Sequence, residues 1–112
     1  MSDYLLVETQ GSWAGPGCDR FLGDAAALAA GGHGVWLFLA QDGVLAAATE
    51  AATAPGSGLR RLVEQGVTVW VDRFSLEQRA LPAEALPAGV ATVDMAPVAA
   101  KLLEPGVRAV WH

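Results

Sequence analysis

Short runs of large apolar residues recur along the chain, separated by Gly/Pro breaks and by stretches with helical spacing. Tyr4-Leu5-Leu6-Val7 followed by polar Glu8-Thr9-Gln10 reads as a buried strand and its end. The segment GSWAGPG, Gly11 to Gly17, is a loop of the kind that terminates strands. A helix is predicted over Asp19–Ala30: Phe21, Leu22, Ala25, Leu28 and Ala29 share one face, acid lies in the first turn, and Gly31-Gly32 stops it. Val35–Leu39 is continuously apolar, as a strand buried on both faces should be. Gln41-Asp42-Gly43 turns the chain, and Val44–Ala52 is Ala-rich and helix-favouring. After a break at Ala54–Gly58, Ser57 caps a short helix over Leu59–Gln65, which Gly66 ends. Val67–Val71 is a third strand, and Ser75 with Gln78 forms a capping box for Leu76–Leu81. Val90–Val93 is a fourth strand. Asp94 then caps a helix with Pro97 in its first turn, ended by Pro105-Gly106 before a last strand, Val107–Trp111.

Strands interleaved with helices predict an α/β fold: a flavodoxin-like open, mostly parallel five-stranded sheet with helices on both faces and right-handed crossovers. The commonest strand order for such a sheet, 2-1-3-4-5, is the one expected. Ligands would then bind beyond the carboxyl ends of the strands, at the switch between strands one and three.

At 112 residues the chain is one domain, residues 1–112, large enough to bury a core without disulfides or metal. The apolar fraction of 53% and charged fraction of 17% exclude disorder. The chain is also richer in apolar residues than a typical water-facing monomer, so part of the apolar surface is expected to cover a partner subunit. A net charge of −5, with Lys+Arg 7 and no basic run beyond Arg60-Arg61, argues against nucleic acid and anionic membrane surfaces as partners. The acidic first residues carry no signal-peptide pattern and no stretch is long enough to span a membrane, so a cytoplasmic protein is expected.

Candidate chemistry is sparse. Cys18, the single cysteine, lies at a helix start, where unpaired N–H groups and the helix dipole favour a thiolate. Arg20 adds positive charge there and Asp19 opposes it; packing of a small residue is the alternative. Trp13 in the first loop is a candidate ligand wall or subunit contact, and Asp42 lies on the same edge. Asp72, Arg73 and Ser75 follow strand three, where active-site residues of α/β folds emerge; a surface ion pair and a helix cap are the plainer alternatives. The glycine-rich loop lacks the Lys of a phosphate-binding loop and the hydroxyls of a flavin site, so no cofactor is expected. His33 falls at the opposite end of the sheet and His112 is the terminal residue, so no Ser-His-Asp set is expected, and two His and one Cys far apart make a metal site unexpected as well.

The order of these pieces resembles the DsrE/F-like family of small sulfur-relay proteins, in particular the TusD type. The resemblance is carried by Gly15-Pro16-Gly17, Gly32-His33-Gly34-Val35, Asp42-Gly43-Val44, Leu62 with Gly66-Val67, and Leu76-Glu77-Gln78-Arg79-Ala80-Leu81, and it spans nearly the whole chain. It implies a flavodoxin-like fold, assembly as trimers or hexamers of like or related subunits, and exchange with sulfur-carrier proteins. It also implies a persulfide on a cysteine just after strand three. By spacing back from Arg79 that cysteine position is Asp72, and a second one is Ser75. A carboxylate cannot form a persulfide. The resemblance therefore leaves two expectations: a non-catalytic assembly or binding subunit associated with sulfur trafficking, or a carrier in which Cys18 has taken over. A small-ligand-binding α/β module is the third.

Overall fold

A computed structural model describes residues 2–48 and 57–112, without the side chain of Ser12. Five strands form one sheet: β1 (Asp3–Glu8), β2 (Gly34–Leu39), β3 (Thr68–Asp72), β4 (Val90–Val93) and β5 (Val107–Trp111). All neighbouring pairs are parallel. The helices are α1 (Gly17–Ala30), α2 (Gly58–Glu64), α3 (Arg73–Gln78) and α4 (Met95–Leu103), with 3-10 turns at Ser12–Ala14, Gln41–Ala46 and Ala83–Ala85. Among the described residues no helix is long and apolar enough to cross a membrane.

The fold class is the one expected, but the strand order is β4-β3-β2-β1-β5, not 2-1-3-4-5. Three successive crossovers step the same way across the sheet, and the last returns β5 to the free edge of β1. The switch point therefore lies between β1 and β5. Periodicity identifies strands but carries no information on which neighbour each one takes.

The two faces are covered unequally. On the first, Phe21 and Ala25 of α1, Leu59 and Leu62 of α2 and Leu76 of α3 pack on Leu6, Val35, Leu37, Leu39, Val69 and Val71. On the second, Val98 of α4 packs on Leu5, Val7 and Phe38, with Trp36 and Trp70 half-buried beside them. The Lys101 ammonium rests 3.6 Å from the centre of the Trp36 ring, a cation–π contact that finishes this thin layer.

Several local expectations shift. The stretch predicted as a helix over Val44–Ala52 enters the described structure as the 3-10 turn Gln41–Ala46, and its remainder and most of the break at Ala54–Gly58 lie outside the described residues. Ser57 caps α2 as expected, accepting from the Arg60 N–H at 3.2 Å. The predicted capping box gives way to a helix that starts earlier: Asp72 is the N-cap and accepts from the Ser75 N–H at 3.2 Å. An ionised carboxylate at the N-cap position is a stronger acceptor than a hydroxyl two residues inside. Asp94 holds the N-cap position of α4, but its carboxylate pairs with Arg73 at 3.1 Å instead of capping.

Gly43 marks the tightest backbone approach. A Cβ there would stand 2.1 Å from the Glu8 carbonyl oxygen, which already accepts from the Ala40 N–H at 3.0 Å. Backbone on both sides leaves nothing to yield. Gly43→Ala is expected to destabilise the fold by about 1–3 kcal/mol or more, the range for overpacking; urea unfolding of the two proteins measures it.

Candidate functional site

The carboxyl ends of the strands carry two separate polar clusters. The first lies beyond β2 and β3. The buried Asp72 carboxylate accepts from the Ser75 N–H and, at 2.5 Å, from the Ser75 hydroxyl. The Ser75 oxygen in turn accepts from the Gln41 N–H at 2.8 Å. Gln41 reaches it with φ 52°, a left-handed conformation that costs a non-glycine residue roughly 1–2 kcal/mol. Arg79 closes the cluster: its Nε and Nη2 donate to Asp42 at 3.1 and 2.9 Å, and Nη1 donates to the Ser75 carbonyl at 3.3 Å. Three predicted site residues, Asp42, Asp72 and Ser75, are thus brought together. Ser75 is 2% exposed, its proton is held by Asp72 and its oxygen by Gln41, so it is not available as a nucleophile. Arg73 points away to Asp94 and Thr92 and takes no part.

The second cluster sits at the β1/β5 switch point, where open α/β sheets bind ligands. Glu8 is completely buried. Its carboxylate accepts from the Gln10 N–H at 2.9 Å and faces Nδ1 of His112 at 2.9 and 2.8 Å. The imidazole stacks on Phe21, with ring centres 5.3 Å apart. Gly17 permits this placement, because a Cβ there would lie 2.6 Å from Cε1 of the ring. A carboxylate on Nδ1 fixes the ring's orientation and leaves Nε2 as its second polar atom.

Cys18, near this second cluster, is 2% exposed. Burial, then the Glu8 and Asp19 carboxylates, push its thiol up from the usual 9.0 to about 11. The helix start was expected to favour a thiolate, and desolvation with two acidic neighbours outweighs it. Trp13 stands at the edge, 70% exposed, its ring lying over Gly11. His33 is a turn residue at the far end, 3.2 Å from the Ser2 N–H and edge-on to Tyr4.

Sequence reasoning missed Glu8, His112, Gln41 and Arg79 as site components. The alternation Tyr4, Leu6, Glu8 was the available signal, since it places Glu8 on an inward face. His112 carried none, because its meeting with Glu8 depends on β5 lying beside β1.

No family model and no curated protein matches the chain. Two solved structures share its fold. The ychN protein from E. coli superposes with a TM-score of 0.78 at 20% identity, covering 98% of this chain and 100% of that one. MTH1491 from Methanobacterium thermoautotrophicum, a protein of unknown function, gives a TM-score of 0.83 at 13% identity over 100% of both chains. At these identities the likeness establishes the fold alone.

The thiol gives a direct check. With its proton held to about 11, Cys18 is expected to react with iodoacetamide at pH 7.5 about 10²-fold more slowly than an unperturbed cysteine. Between pH 9 and 11 the unfolded thiol ionises while the folded one stays protonated. Stability should therefore fall with rising pH, by about 1.4 kcal/mol per pH unit from this group. Cys18→Ala should lose that component of the slope in chemical denaturation.

Proposed function

We propose that this protein is an assembly or binding subunit of the DsrE/F-like type, associated with sulfur trafficking and performing no persulfide step of its own. The observation that carries the proposal is α4. Only Val98 among its nine residues is buried, while Met95, Leu102 and Leu103 are 54%, 36% and 84% exposed. Trp111 on the adjoining β5 is 62% exposed. A helix this apolar, the one helix that the described residues place on that face of the sheet, needs further cover, and exposed aromatic and aliphatic groups on it and on the neighbouring edge strand mark an interaction surface.

The chemistry points the same way. Asp72, at the position where the family resemblance sets a sulfur-bearing cysteine, is committed to capping α3 and binding Ser75. Cys18 is buried and held protonated, which disfavours its use as the alternative carrier. A sulfur-bearing cysteine would then come from a related subunit or a carrier protein docked on this one.

Light scattering coupled to size exclusion is expected to give a mass above that of one chain, and Leu103→Glu is expected to shift the distribution toward monomer without lowering the melting temperature of that monomer. A monomer at all concentrations would sink the proposal. So would a reductant-reversible gain of sulfur mass on treatment with polysulfide that Cys18→Ser abolishes.

A second reading, a small-ligand site at the β1/β5 edge, is favoured by the Glu8–His112 pair and the exposed Trp13. Titration of tryptophan fluorescence with phosphate and small carboxylates tests it. Saturable quenching lost in His112→Ala supports the site, and no response removes it.

A further inference from the structure

We propose that β5 pairs antiparallel with β5 of a second copy across a two-fold axis, joining the two sheets into one of ten strands. This rests on the assembly reading above and specifies which edge makes the contact.

The direction of the main-chain groups comes first. The His112 N–H donates to the Val7 carbonyl and the His112 carbonyl accepts from Thr9, so residue 112 turns both groups toward β1. In a parallel ladder alternate residues share that direction, so Arg108 and Val110 also face β1. Val107, Ala109 and Trp111 face outward. The Val107 N–H is taken by the Glu104 carbonyl at 3.3 Å, which leaves the N–H groups of Ala109 and Trp111 and three carbonyls along the open edge.

Little in β5 guards that edge. Natural edge strands are blunted by charged side chains, lysine above all, by proline, by bulges or by a covering element. The sequence Val107-Arg108-Ala109-Val110-Trp111 has no lysine or proline, its one charged residue is Arg108, and four of its five residues are exposed. The opposite edge, β4, is shorter and exposes one residue of four. Pairing β5 with its own copy also closes at two subunits, whereas pairing β5 with β4 is head-to-tail and closes only where the rotation completes a ring.

Charge selects the register. With Ala109 opposite its counterpart, all five residues are paired and four hydrogen bonds form: Ala109 with Ala109 in both directions, and each Trp111 N–H to the other copy's Val107 carbonyl. Arg108 then lies beside the other copy's Val110, on the face that carries α1. There Val110 lines a groove of about 330 Å³ together with Tyr4, Phe21, Leu28 and Asp24. Among the described residues neither Arg108 nor Asp24 makes an ion pair. The pairing brings each Arg108 to the Asp24 of the other copy, twice by symmetry, and lays each Trp111 over the other copy's Val107.

Three measurements test this. Ala109→Pro removes an outward N–H and leaves the ladder to β1 intact. It is expected to raise the dissociation constant of the two-fold contact by roughly 10- to 100-fold by sedimentation equilibrium. Arg108→Asp should weaken the contact, and the double variant Arg108→Asp/Asp24→Arg should restore it. Hydrogen exchange on the unmodified protein should show the Ala109 and Trp111 amides protected at high concentration and open on dilution. An oligomer indifferent to Ala109→Pro and to the charge exchange, with both amides unprotected, overturns the edge pairing while leaving the assembly reading standing. A chain that stays monomeric at all concentrations overturns both.

Discussion

Glu8 is where the carboxyl edge of this sheet is tied together, and it is tied through both its main chain and its side chain. Its carbonyl accepts from Ala40, and Gly43 lies against the same oxygen, which brings the chain leaving β2 down onto the end of β1. Its buried carboxylate takes the Gln10 N–H and faces the His112 ring, which anchors the end of β5 and turns the loop after β1. A charge removed from water is costly unless it is paired and hydrogen-bonded, so these contacts are mutually required. The position of α1 follows, because its first residue must be a glycine to pass the ring that Glu8 holds.

This arrangement also decides the fate of the cysteine. A helix N-terminus is ordinarily a place where a thiol loses its proton easily. Here the helix starts beside a buried carboxylate and carries Asp19 in its own first turn, and Cys18 is packed away from water. The two acids and the desolvation act in one direction, and the dipole cannot offset them. The polar chemistry of the other cluster is likewise turned inward: Asp72, Ser75, Gln41 and Arg79 satisfy one another. What the molecule leaves open is apolar surface, on α4 and β5, and that is the property on which the proposed role rests.

Much of this was legible in the chain. The five strands appear within a residue or two of their apolar runs, because a strand buried on both faces must be continuously apolar and its ends must be polar or glycine. The stop of α1 at Gly31 and the cap of α2 at Ser57 were equally local. The switch from an expected Ser75 cap to Asp72 was also a local matter, lost because two capping residues three apart compete and the carboxylate wins.

By itself, then, the sequence determined the α/β class, the alternation of elements, the excess of apolar surface and the absence of a cysteine after β3, since each is written in residue type and spacing. The tertiary structure decided everything that depends on which strands are neighbours. Placing β5 against β1 moved the switch point, joined Glu8 to a histidine 104 positions away and made β5 an edge strand opposite β4. Contacts across that distance leave no periodic trace in the chain, because either order of strands buries the same apolar residues.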